Sequence, residues 1–493
     1  MFAAVAVAWA TPAAAEWRRA ESANFIVYSE APEPRLRSQV ALLEDYEGFL
    51  RLLTGVKDPP PPNKLQVYML RGRGQLKTVH PAVGPNVAGF YTATPFGIAA
   101  FANERADGTT SGEDEILLHE IAHHFMLQHR PMAYPAWFVE GFAEYVMTAK
   151  FKKDVIEFGL PSEMRAGWLR NARWLPVEDV LFEPVPRDAQ TAALYYAQSW
   201  LLAHYFLRDT ARTQKLLTYF SKMRQGLEPR KAFAEGTGMT PRQLETEIDR
   251  YTRKLTYSTL NRRSAAAAPQ IAVSLLPASA NDLLLLRASM QVMPPANPAA
   301  FLQTVRTAAA KHGDSFASRV LAQAEAQFGD GAKADALLTG LRAASPKDAE
   351  LHYLQGMRHM AAAENDKEGA GKQMALAKAA FARAHKADEN HYQSLVRYAQ
   401  SLSATAGFDS ENTMNILLLA HQLAPQVAEI RMNAANLLVR QGHGRDAEGL
   451  LEPIAFDPHN PDLAAAAQRL LAEARGRGKA EAPGDVLKAP AQE

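Results

Sequence analysis

Two apolar stretches constrain this chain more than anything else in it: Leu117-Leu-His-Glu-Ile-Ala-His-His-Phe125 and Pro135-Ala-Trp-Phe-Val-Glu-Gly-Phe-Ala-Glu-Tyr145. Each reads as a core helix into which ionisable side chains have been set. In the first, His119 and His123 stand at i and i+4, one turn apart on one face, so both imidazoles can be directed at a single ion. Glu120 lies roughly 100° further round the same turn, outside the ligand pair but within reach of a water held by that ion, which makes it the expected general base. The second stretch puts Glu140 and Glu144 at the same spacing, framed by aromatics that bury them. A buried carboxylate without a partner is costly or gives up its charge, so two on one face call for a cation. Glu140 then completes a set of two histidines and one carboxylate, with a fourth position left for water, as catalytic zinc requires. His124 and His129 fall on other faces of the first helix and are not read as ligands.

The rest of the chain divides in two. Before residue 102, short runs such as Phe25-Ile-Val-Tyr28 and Leu65-Gln-Val-Tyr-Met69 read as strands, and Pro34 to Leu53 has Val40, Leu43, Tyr46, Phe49 and Leu52 at helical spacing. Val87 to Tyr91, Thr92 to Pro95 and Phe96 to Phe101 read as a hairpin at a sheet edge, because Pro95 cannot donate to a ladder. Helical patterns follow over 113–128, from Trp137, and over 193–208, 213–224 and 241–255. This order predicts an α+β domain over 16–258, a linker over 259–277 that includes Ser264-Ala-Ala-Ala-Ala-Pro269, and an all-α array over 278–475. In the array Ala334, Leu338, Leu341 and Pro346 fall at tetratricopeptide spacing, Leu437, Gly442, Ala447 and Leu451 repeat the theme, and Pro425 and Pro458 lie close to one repeat apart. A plain helical bundle is the alternative for this region. Residues 476–493 are charged and rich in Pro, Ala and Gly, and predict a disordered tail.

Composition narrows the chemistry. The 493 residues contain no cysteine, so a metal has to sit on His, Asp or Glu, and neither thiolate sites nor disulfides are possible. Lys+Arg (54) and Asp+Glu (53) nearly cancel and form no basic stripe, which argues against a nucleic-acid partner. Met1 to Ala15 is an apolar run of small residues that fits a secretory signal, with the mature chain starting near Glu16 and a periplasmic or secreted location. No later stretch is apolar for long enough to span a membrane.

Taken together, HEIAHHF and PAWFVEGFAEY resemble the peptidase-MA-like gluzincins, the clan of thermolysin and the aminopeptidase-N-like enzymes, and the likeness covers roughly Trp17 to Leu255. The resemblance implies a zincin-like catalytic domain, a Zn2+ cofactor held by His119, His123 and Glu140, and peptide or protein substrates. It makes Glu144 a carboxylate behind a ligand histidine, orienting it through its free N–H. It also places a tyrosine-bearing helix after the glutamate helix, so that Tyr196 is the expected donor to the oxyanion, with Tyr195 and His204 as alternatives. Sixteen residues separate His123 from Glu140, slightly fewer than is usual in the aminopeptidase-N-like enzymes. The Gly-x-Met-Glu-Asn segment that holds a free amino terminus in those aminopeptidases is absent, which favours an endopeptidase binding peptide by strand addition at Phe96 to Phe101. The competing reading is a repeat-based scaffold that binds a protein partner and carries a spent catalytic domain. Glu120 discriminates between them, since a structural metal cage has no need of a base.

Overall fold

A computed structural model describes residues 16–84, 87–103, 113–262, 268–403 and 406–478. The expected signal over 1–15, most of the Ala-rich segment at 264–269 and residues 479–493 lie outside the described residues. The first part of the chain supplies strands β1 (Arg18–Glu21), β2 (Phe25–Ser29), β3 (Leu65–Leu70), β4 (Gly89–Thr94) and β5 (Gly97–Asn103), with helices α1 (Glu33–Thr54) and α2 (Arg73–Val79) between them. Helices α3 (Glu113–His129) and α4 (Ala136–Val146) follow, then β6 (Lys150–Phe151), β7 (Val155–Phe158), α5 (Glu163–Asn171), α6 (Val177–Phe182), α7 (Ala189–Leu207), α8 (Thr210–Arg224), α9 (Pro229–Thr237) and α10 (Pro241–Tyr251). Strands β8 (Ser258–Asn261) and β9 (Ala272–Leu275) precede the helices α11 (Ala280–Val292), α12 (Pro298–Ala309), α13 (Ser315–Phe328), α14 (Gly331–Ala344), α15 (Ala349–Asn365), α16 (Ala370–Ala387), α17 (Tyr392–Gln400), α18 (Glu411–Leu423), α19 (Ala428–Arg440), α20 (Gly444–Ala455) and α21 (Pro461–Gly478). The architecture is the expected one: an α+β domain followed by helices that pack in successive pairs, α13 with α14, α15 with α16, α19 with α20 and α20 with α21. Among the described residues no helix is long and apolar enough to cross a membrane.

The main sheet has the order β4-β5-β3-β2-β1-β9, with β2, β3 and β5 parallel to one another and the outer pairings antiparallel. Its central strands are buried on both faces, and the pleat sorts their side chains between two cores. Phe25, Val27, Leu65, Val67, Met69, Ile98 and Ala100 face α1 and α3. Tyr28, Tyr68 and Phe101 point the other way, join Phe90 in a stack with centroid separations of 4.8, 4.8 and 4.9 Å, and are covered by α2 and α11. Helix α1 forms where its periodicity predicts it and ends at Gly55, whose φ of 72° is the left-handed cap that favours glycine. Its inner face carries Leu50 rather than Leu52, which is 37% exposed.

Long-range pairing changes two features of the sequence reading. Phe96 to Phe101, expected at the edge of the sheet, lies inside it as β5, between β3 and β4, and the edge belongs to β4. The turn is tighter than expected, since Thr94 pairs with Gly97 across Pro95 and Phe96, and Thr92 to Thr94 extend the strand. At the expected boundary between domain and linker, Ser258 to Asn261 pair with β7 to complete the small sheet β6-β7-β8, and within the expected linker Ala272 to Leu275 pair with β1 to extend the large one. The array is thus joined to the sheet by a strand. It also packs on the first domain directly: Tyr392, Leu395, Val396, Ala420, Ala424, Val427 and Ile430 belong to the same buried cluster as the core of α1, α3 and α4.

Candidate metal centre

Helix α3 is buried through Leu117, Leu118, Ile121, Ala122 and Phe125, so its polar positions are fixed against protein rather than water. His119 and His123 lie one turn apart, with their Nε2 atoms 2.9 Å from each other. After Pro131 and Pro135 the chain re-enters the core as α4, bringing Glu140 (0% exposed) and Glu144 (1%) to the same histidines. Glu140 Oε2 is 3.3 Å from His119 Nε2 and 3.5 Å from His123 Nε2. Close packing of α4 on α7 sets this position: a Cβ on Gly141 would stand 2.3 Å from the Ser199 carbonyl oxygen, so only glycine admits the approach.

These distances bear on whether the residues fit a metal ion. Ligand atoms about 2.1 Å from a tetrahedral zinc stand about 3.4 Å from one another, close to the spacings here. One ligand atom from each of His119, His123 and Glu140 lies within 4.8 Å of the others. Neither oxygen of the fully buried Glu140 receives a hydrogen bond, which buried carboxylates rarely tolerate without a cation. The residues therefore fit a divalent metal. Burial would raise the Glu140 carboxyl, but His459, His123 and His119 facing it hold it well below the usual carboxylate range. Burial alone would lower His119, yet Glu140, Glu144 and Glu120 raise it to about 9. His123 is lowered, chiefly by burial, with Glu140 opposing and His119 adding to the effect. A metal binding here would compete with a proton for His119.

Glu144 lies behind the ligands: its Oε1 is 3.5 Å from His119 Nδ1, the nitrogen that does not face the cluster. It is held in turn by Arg165 of α5, whose Nε and Nη2 donate to its two oxygens at 2.9 and 2.6 Å. The same guanidinium lies 5.1 Å from the centre of the Tyr196 ring, and Tyr196 lies 6.3 Å from the His119 ring. Burial, and after it Glu140, raise the Tyr196 hydroxyl, so it stays a neutral donor. Glu120 is half-buried next to His119 and makes no hydrogen bond or ion pair among the described residues.

Of the alternatives for the oxyanion donor, His204 is placed elsewhere, whereas Tyr195, like Tyr196, is close enough to Glu140 to feel its charge. His204 is fully buried away from the cluster, its Nδ1 2.8 Å from the Tyr251 hydroxyl and its Nε2 3.0 Å from the Thr256 carbonyl. It is a satisfied core histidine. Tyr195 is buried beside Tyr196, on the same helix. His124 bonds to the Tyr91 hydroxyl of β4 at 3.1 Å, and His129 packs against Glu47 and Arg51 of α1, so neither is turned to the metal cluster.

Sequence reasoning missed two residues. Arg165 sits on a helix with no buried residue of its own, and nothing local marks it. His459, between α20 and α21, brings its Nε2 to 3.3 Å from Glu140 Oε1 from the far end of the chain. Its neighbour Pro458 carries a repeat signal in the sequence, and nothing there marks His459 itself.

Comparison with family models, with curated proteins and with solved structures returns no match for this chain. What fold and site define is a mixed α/β domain with a buried cluster of two histidines and one glutamate at chelating distance, followed by a repeat-like helical array.

Proposed function

We propose that the chain is a zinc-dependent peptidase of the gluzincin type, acting as an endopeptidase on peptide or protein substrates. The observation that carries this reading is the convergence of His119, His123 and Glu140 at tetrahedral-edge spacings beside Glu120, a carboxylate with no hydrogen-bond or ion-pair partner among the described residues. A spent cage would have no use for that last group. His119, His123 and Glu140 would hold the zinc, which when bound would supply an acidified water, pKa toward ~7, and a Lewis acid for the scissile carbonyl. Glu120 accepts the proton of the attacking water and delivers it to the leaving amine. Glu144, anchored by Arg165 and 3.5 Å from His119 Nδ1, would accept from that nitrogen's N–H and fix the ring's tautomer and direction. Tyr196 donates its hydroxyl to the oxyanion as it develops. An extended substrate pairs with the edge strand β4, which packs on α3.

The test is elemental analysis of the purified chain, with His123→Ala, Glu140→Ala and Glu120→Gln beside it, followed by cleavage of an unstructured protein substrate such as casein. About one zinc per chain is expected, lost in the first two variants and retained in Glu120→Gln, whose cleavage falls by roughly 10²–10⁴-fold. Zinc content indifferent to His123 and Glu140 would refute the ligand assignment.

A further inference from the structure

The loop between α20 and α21 reaches the metal cluster from the opposite end of the chain. Residues 456–460 leave α20, and Asn460 caps α21, its Oδ1 accepting from the Leu463 N–H at 3.1 Å. Between them His459 is held by its backbone, whose N–H donates to Asp457 Oδ1 at 2.9 Å. Its ring stands 5.0 Å from that of His123, with 70° between the planes, and its Nε2 is 3.3 Å from Glu140 Oε1. That oxygen is not the one facing His119 and His123, so the imidazole meets the cluster through the outer oxygen of Glu140, just outside the three ligand atoms that lie within 4.8 Å of one another.

The surroundings show how closely the loop covers this side. His123, Met126, Met132 and Tyr134 form one wall of a cavity and Phe456, Pro458 and His459 the other, and the cavity measures about 50 Å³. Sites that take organic ligands usually span ~300–1,000 Å³. A cavity this size holds water and no peptide. The array is seated to keep it so: Arg431 of α19, 2% exposed, donates to the Leu127 carbonyl of α3 at 3.4 Å, and Gln426 donates to the Gln128 side chain. Arg475 of α21 donates to the Arg224 carbonyl at 3.1 Å.

We propose that His459 is a fourth metal ligand supplied by the helical array, so that this conformation is a closed, latent form of the centre which opens when the α20–α21 loop is displaced. The inference rests on the zinc site proposed above. Four protein ligands and no water position make a structural site, and three with an open position make a catalytic one. The ring is half exposed and sits on a loop, so ligation calls for it to turn from Glu140 Oε1 toward the ion, and release for the loop to lift.

The full-length chain and His459→Ala, each loaded with zinc, are compared by chelator competition, and each loaded with cobalt(II) by visible absorption. His459→Gln serves as a second variant, and circular dichroism verifies folding. The expected result is one metal per chain throughout, affinity weakened roughly tenfold or more in both variants, and a change in cobalt band intensity as water replaces imidazole. Casein cleavage by the zinc form rises in His459→Ala. Unchanged affinity and an unchanged cobalt spectrum in both variants would overturn the fourth-ligand assignment and leave the three-ligand enzyme standing. Absence of metal from the unmodified chain would instead remove the zinc reading itself.

Discussion

Arg165→Ala isolates the support behind the metal cluster. In the folded chain Glu144 has a side chain 1% exposed and takes two charge-assisted hydrogen bonds from a guanidinium that is itself 14% exposed. Opposite charges about 3 Å apart attract by about 5 kcal/mol at an effective dielectric near 20. Part of that is offset by the desolvation of both groups. Removing only the arginine leaves the desolvation of the carboxylate in place without the attraction, a situation that costs about 3–5 kcal/mol. The uncompensated charge then acts on His119 Nδ1, 3.5 Å away. Urea unfolding of the metal-free protein should show Arg165→Ala destabilised by about 3 kcal/mol, with the double variant Arg165→Ala/Glu144→Ala recovering part of the loss. Zinc affinity should fall roughly 10–100-fold in the single variant, and Arg165→Lys should recover less than a bidentate pair provides. A single variant within about 0.5 kcal/mol of the parent, the ordinary range of a surface change, with unaltered zinc affinity, would refute the argument that this pair holds His119 in place.

Three further outcomes can be checked separately. Gly141→Ala forces α4 away from the Ser199 carbonyl, so thermal unfolding should show a loss of about 1–3 kcal/mol and zinc titration a weaker site, because Glu140 and Glu144 move with the helix; retained affinity would show that the close approach is not needed. Tyr196→Phe should lower kcat roughly 10²-fold with little change in KM or zinc content, and unchanged kcat would exclude it as the oxyanion donor. Burial, opposed by the Thr256 carbonyl and assisted by Arg208 and Arg212, lowers His204 to about 4. A histidine depressed in the folded state contributes stability that is complete above its unfolded value near 6.5 and is lost as the pH falls toward about 4, at most about 3 kcal/mol in all. Urea midpoints between pH 7 and 4 should therefore fall less steeply in His204→Gln than in the parent, and parallel curves would contradict the assignment.

Much of the site was legible because it is local. The i, i+4 spacing of His119 with His123 and of Glu140 with Glu144 follows from the helical pitch, and prolines 131 and 135 mark where one helix stops and the next begins. The apolar residues around them show that both helices are buried, and burial of bare ionisable groups points to a cation. The central strands were legible for the same reason: β-branched and aromatic runs such as Phe25 to Tyr28 report on their own pleat.

What the tertiary structure decided are pairings between distant segments, for which a sequence window holds no signal. Whether β4 or β5 is the edge depends on which of them meets β3, and both have strand character. Ser258 to Asn261 and Ala272 to Leu275 are too short to declare themselves, and become strands because β7 and β1 offer unpaired backbone groups. Arg165 lies on an otherwise unburied helix and meets Glu144 only through the packing of α5 on α7. His459 is one of several histidines scattered along the array, and it is set against Glu140 by the docking of α17 to α19 on the first domain. The sequence by itself determined the local geometry of the ligand helices and the type of chemistry they admit. The neighbours that orient and close the site came from the fold, because helix periodicity acts over a few residues while these contacts depend on where whole elements pack.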